Sequence, residues 1–120
     1  MIVRDVHAWW AWVAIGSNAL AGAWALAAHW WAPARRRALW WLVVAAEVTI
    51  FVQVVLGVVM IAVQDRHAPD FHMFYGFVAI ITVGLLFAYR LQLTAWLYLL
   101  YGLGGLFLMG LCLRALSFHP

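Results

Sequence analysis

The sequence contains no lysine, one cysteine and only four acidic residues, and 9% of its 120 residues are charged. Each shortage excludes something. Cys112 alone cannot form an intrachain disulfide or frame a zinc site. Charge this sparse cannot solvate the surface of a soluble domain of this length. Every fixed positive charge is an arginine, and the net charge of +3 reflects membrane topology in so apolar a chain, so no nucleic-acid partner is expected. No nucleotide-binding loop, nucleophilic triad or zinc ligand set is present. The start, Met1-Ile2-Val3-Arg4-Asp5, has no small-residue cleavage site of the secretory type, so the first apolar stretch is expected to be a retained helix.

What is present is hydrocarbon. Hydrophobic residues make up 69% of the chain, and the mean hydropathy is +0.99. The expected fold is all-α: one integral membrane domain over residues 1–120, a four-helix bundle with the lipid bilayer as its first partner. A span needs about 20 mostly apolar residues, and four stretches qualify, roughly 8–31, 38–63, 71–89 and 94–116. Pro33 with Arg35, Arg36 and Arg37 ends the first. A polar segment, Gln64 to Asp70, parts the second from the third, and Arg90 and Gln92 part the third from the fourth. Asp70 and Thr94 are expected to cap the third and fourth helices.

The arginine triplet sets the expected orientation. It lies in a short loop, so the positive-inside rule puts that loop in the cytoplasm and both termini outside, in a bacterial plasma membrane. Trp30, Trp31, Trp40, Trp41 and Trp96 then gather at the inner boundary, and Trp9, Trp10 and Trp12 at the outer one, as an interfacial belt. Trp24 lies deeper. Helices 1 and 3 both run inward, so His7 and His72, which open them, lie at similar depth near the outer surface.

A nine-residue pattern links these two histidines. His7-Ala8-Trp9-Trp10-Ala11-Trp12-Val13-Ala14-Ile15 matches His72-Met73-Phe74-Tyr75-Gly76-Phe77-Val78-Ala79-Ile80 at the His and the closing Val-Ala-Ile. Three more positions are aromatic in both, and Ala11 stands against Gly76. One reading is a two-fold internal repeat of helices 1 and 3. The other is chance recurrence in a chain rich in Trp, Val and Ala.

Polar residues inside a membrane are costly and usually face the bundle interior. His7, Asn18 and His29 fall eleven residues apart, a spacing that turns the helix face by only about 20° per step. Ala11, Ala14, Ala21, Gly22 and Ala25 lie between them, a small-residue stripe that admits a close helix or a flat cofactor. Helix 2 carries Glu47, the one acidic residue in any span, with Thr49 and Gln53. Glu47 is expected to be protonated or paired with His29 or Asn18, as a proton relay or a structural hydrogen-bonding group. Gly102, Gly105, Met109 and Cys112 share a face of helix 4, with Met109 an alternative iron ligand or simple filler.

The stretch from Gln53 to His72 resembles one four-helix half-domain of the heme A synthase family. In that family a helix bearing Gln-x-x-Leu-Gly precedes an outer loop and a helix opening with a haem-ligand histidine. Here the match is Gln53-Val54-Val55-Leu56-Gly57, then His72, with His7 in the place of the family's preceding outer-side histidine. The resemblance implies a b-type haem between the helices of His7 and His72. The family's outer-loop cysteine pair is absent, and Arg4 and Ala8 stand where it carries Glu and Arg. The implied protein is therefore a haem-binding bundle without heme A synthesis.

Three functions follow as expectations. The first is an electron-transfer subunit with one haem b, in which His7 and His72 ligate the iron, Ala11 and Gly76 clear space beside the rings, and Arg4 and Arg66 pair with the propionates. The second is a cofactor-free accessory subunit whose small-residue faces on helices 1 and 4 pack against a larger membrane complex or another copy. The third is a transporter-like oligomer built around Glu47 and Asn18. None makes the chain an enzyme on its own.

Overall fold

A computed structural model describes residues 2–64 and 70–117, and among them every long element is helical. The order is α1 (Ile2–Trp30), a 3-10 turn (Ala32–Ala34), α2 (Arg37–Gln64), α3 (Asp70–Tyr89), a second 3-10 turn (Thr94–Trp96) and α4 (Leu97–Ser117). All four α-helices are long and apolar enough to cross a membrane. Their outer faces carry large apolar side chains, such as Trp12, Phe51, Val55, Phe74, Phe77 and Phe107. A helix apolar all round has its stable place in lipid, not water.

The element ends differ from expectation at three places. α1 begins at Ile2 and not near residue 8. Arg4 and Asp5 lower the local hydropathy without breaking the helix, and Asp5 in the first turn complements the positive end of the helix dipole. His7 therefore sits inside α1 and does not open it. Thr94 does not cap α4; it is the first residue of the 3-10 turn, whose N-cap Leu93 supplies no side-chain hydrogen bond. Asp70 is the first helical residue of α3.

Arginines close two helix ends. Arg35 Nε donates to the carbonyl of Ala28 (2.7 Å) and its Nη2 to that of His29 (3.0 Å). These are carbonyls that α1's own ladder leaves unsatisfied. Arg90 Nη1 donates to Phe87 O (2.6 Å), with its guanidinium 3.5 Å from the Phe87 ring centre. Trp24, the deep tryptophan, donates to Ala34 O (2.8 Å) and ties the first loop down on α1.

The helices stand in a ring, but its four sides are unequal. α1 lies against α4 and α2, α3 lies against α4, and α2 and α3 approach each other least. α1 and α3 thus occupy one diagonal. The α1–α4 side is held by near contact of backbones. A Cβ on Gly22 would lie 2.7 Å from Leu106 N, one on Gly102 2.7 Å from Leu26 N, and one on Gly105 2.8 Å from Gly22 Cα. The small-residue faces of helices 1 and 4 are therefore spent on each other inside the chain.

The α1–α2 side is held by polar clasps at three depths. Trp10 Nε1 donates to Thr49 O (3.0 Å), and Gln53 Nε2 donates to His7 O (2.9 Å). Asn18, 2% exposed, donates from Nδ2 to Ala14 O (2.9 Å) and across to Ala46 O (3.2 Å). Tyr101 joins α4 to α3 through Leu86 O (3.3 Å). In a membrane each such bond is worth about 0.6–2 kcal/mol, a modest sum because the same groups find other partners when the helices are apart.

Candidate functional site

The buried stripe of α1 builds one wall of the site. His7, Ala11, Ala14, Asn18, Ala21, Gly22, Ala25 and Ala28 are all buried, as the eleven-residue spacing predicts for its first two members. By the third member the drift has carried His29 off that face, and Ala28 takes the buried place. His29 lies instead at the opposite end of the bundle, stacked on Trp96 (centroids 5.8 Å apart, planes at 30°) and edge-on to Trp30.

His7 and His72 come together. Their ring centroids are 6.1 Å apart and their planes cross at 71°. They reach each other across the diagonal, from α1 and α3, at the end of the bundle where both helices begin. A cavity of about 440 Å³ surrounds the pair, within the roughly 300–1,000 Å³ of small-molecule and cofactor sites. Ala8, Ala11 and Ala14 line it from α1, Gln53, Val54 and Gly57 from α2, Tyr75, Gly76 and Ala79 from α3, and Leu111, Cys112 and Ala115 from α4. A Cβ on Gly76 would meet nothing within 4 Å, and Gly76 lines the cavity one turn from His72.

Each histidine is positioned by a neighbouring helix. His72 Nδ1 lies 2.8 Å from Ala115 O on α4. A carbonyl only accepts, so Nδ1 carries the proton and the lone pair of the neutral ring sits on Nε2. Metal-binding histidines are commonly held this way. On the other side, Gln53 grips the backbone of His7. A Cβ on Gly57 would lie 3.4 Å from His7 Cε1, an ordinary contact, so Gly57 stands beside the ring without being required there. Gln53 Oε1 is buried without a hydrogen-bond partner.

Other expected site residues fall elsewhere. Arg4 is exposed on the first turns of α1, outside the cavity wall. Arg66 lies outside the described residues. Met109 does not line the cavity. Glu47 is half-buried in a separate void of about 10 Å³, shared with Asn18, Ala46 and Tyr101. It pairs with neither expected partner: His29 is at the far end, and the Asn18 amide is spent on two carbonyls. Glu47 Oε2 is buried without a hydrogen bond. Ala115 was not legible as part of the site, because its contribution is a backbone carbonyl that no side chain announces.

Comparison with family models, with curated proteins and with solved structures finds no match for this chain. What the cavity can hold follows from its atoms. Among the described residues no three His, Cys, Asp or Glu side chains gather to hold a metal ion. Two imidazoles alone leave a metal under-coordinated, since even a tetrahedral ion wants four donors. A metal that brings a planar set of ring nitrogens needs only the two axial positions filled. With metal–nitrogen bonds of about 2 Å and a nitrogen roughly 1 Å from its ring centre, two such imidazoles would have centres about 6 Å apart. The observed 6.1 Å is of that order, and it is also the spacing of an edge-on pair of rings in direct contact.

Proposed function

We propose that this small membrane protein is a b-type cytochrome, or the haem-carrying subunit of a membrane electron-transfer complex, with His7 and His72 as the axial pair of one haem b. The separation of the two rings carries this reading. A haem bound there supplies one-electron exchange at its iron. The residues of the chain do the rest. Ala115 O fixes the His72 tautomer, the Gln53 amide holds the backbone of His7, the Ala and Gly residues leave room for a flat ring, and the apolar wall excludes water. Arg4 and Arg66 are the proposed partners of the propionates.

The purified protein tests it. From cells competent to make haem it is expected to show a Soret band and, on reduction, α and β bands. A colourless preparation would sink the proposal.

The alternatives have less to stand on. Of the accessory reading's two supports the scant extramembrane mass remains, while the small-residue faces of helices 1 and 4 pack on one another at Gly22, Gly102 and Gly105. The transporter reading drew on Glu47 and Asn18, whose shared void of about 10 Å³ is roughly the size needed by a single water.

We assign the histidine end to the outer side of a bacterial plasma membrane, because Arg35, Arg36, Arg37 and Arg90 cluster at the other. An Arg36→Cys variant made in a Cys112→Ala background tests this. Its thiol is expected to resist a membrane-impermeant maleimide in intact cells and to react once they are opened. Labelling of intact cells would reverse the orientation.

A further inference from the structure

The cavity has one side unlike the others. Its α2 and α3 walls include Val58, Ile61, Met73 and Phe77. These same residues are 56%, 38%, 49% and 66% exposed on the outside of the bundle. They are a rim: each touches the cavity and the exterior at once. The exterior at that height is the lipid face, bounded by apolar side chains on both helices.

The other three sides are tied more firmly. Deeper in the bundle than the cavity, backbones meet between α1 and α4 at Gly22, Gly102 and Gly105. Hydrogen bonds from Trp10, Asn18 and Gln53 clasp α1 to α2. His72 and Tyr101 bond α3 to α4, and Leu86 closes over Gly104, where a Cβ would lie 2.5 Å from Leu86 Cδ2. α2 and α3 make the sparsest contact of the four neighbouring pairs.

The geometry points to the α2–α3 seam as the passage through which the tetrapyrrole enters and leaves the two-histidine cavity, sideways from the bilayer. This rests on the haem reading above and adds where the ligand comes from. The chemistry of the ligand agrees with the route. An amphipathic ring with carboxylates at one edge partitions into a membrane with its ring in hydrocarbon and its acids at the headgroups. The histidine pair lies near one end of the bundle, at the depth such a ring already occupies. Sliding in the membrane plane then requires no transfer of the ring through water. The parting of the seam costs the few contacts that α2 and α3 make with each other, and hydrocarbon can take the place of the apolar ones.

The test is to tie the seam. In a Cys112→Ala background, one rim residue of α2 (Val58 or Ile61) and one of α3 (Met73 or Phe77) are changed to Cys in the four combinations. Pairs that accept a thiol-bridging reagent are reconstituted in liposomes without haem. Each double variant, bridged and unbridged, is then given haem dissolved in the same membranes. Uptake is followed by growth of the Soret band, and release by transfer to a haem scavenger.

A passage alters both rates and leaves the equilibrium untouched. Bridging is therefore expected to slow uptake and release together, by about tenfold or more, with the dissociation constant unchanged. Uptake at the same rate before and after bridging would put the access route at the aqueous end of the bundle and overturn the inference. So would a bridge that leaves uptake unchanged and accelerates release, since the seam would then be a wall of the site and not its door. If neither the wild-type protein nor any unbridged variant takes up haem, the haem reading itself fails, and that failure is seen before any bridge is made.

Discussion

His72→Ala and His7→Ala protein are each expected to emerge from haem-competent cells without a six-coordinate haem spectrum. Either change removes one of the two proposed donors, and a single imidazole at this site would leave the ring held from one face only. The loss of bound haem is expected to exceed about tenfold, the lower end of what even outer-sphere changes cost at metal sites. Free imidazole added to either variant is expected to restore part of the six-coordinate spectrum, because alanine leaves a ring-sized space. Gln53→Leu gives a graded result: His7 keeps its ring but loses the grip of the Gln53 amide on its backbone, and affinity is expected to fall by about tenfold. His29→Ala is the control, since His29 stacks on Trp96 at the other end of the bundle. A full spectrum in the His72→Ala protein would remove the axial pair from consideration. Its loss in His29→Ala protein would show that the spectrum tracks folding and not ligation.

The second large effect falls on glycine. Gly22→Ala and Gly102→Ala each add one carbon, and each carbon would sit 2.7 Å from a backbone nitrogen of the facing helix. Neither main chain can step aside without parting α1 from α4, so overpacking costs of about 1–3 kcal/mol are expected for each. Leucine at either site is expected to abolish the folded bundle. Gly104→Ala meets only the tip of Leu86, a flexible side chain, and is expected to cost less. Gly16→Ala meets nothing and gains helix propensity, so it is expected to be neutral or to stabilise by up to about 1 kcal/mol. Unfolding of the four variants in mixed detergent measures the order. Equal stability for Gly16→Ala and Gly102→Ala would refute the close α1–α4 contact.

Much of this architecture was legible in the residues. Four apolar stretches became four helices. The eleven-residue rhythm of His7 and Asn18 named the buried face of α1, because a helix drifts only slightly over three turns. The same drift misplaced His29, which two steps carry to the rim. Glycines announced close approach but not with whom. Gly22, Gly102 and Gly105 looked like surfaces for a partner and proved to be surfaces for each other, since spacing along one helix carries no information about which helix lies opposite. The pairing of Glu47 was misjudged for the same reason: depth in the membrane is written in the sequence, azimuth is not. The cavity itself was half legible. Ala11 and Gly76 line it, but the carbonyl of Ala115 has no letter in the sequence.

The diagonal has a mechanical meaning. Four rods joined firmly along three sides and loosely along the fourth form a frame that can rack, one corner sliding while the joints stay intact. α1 and α3 stand at opposite corners of that frame. A rigid plate gripped by His7 at one corner and His72 at the other is a cross-brace, and a braced frame cannot rack. The loaded and empty proteins would then differ less in contacts than in stiffness. The free energy of gripping the plate becomes resistance to unfolding in proportion to how tightly it is held.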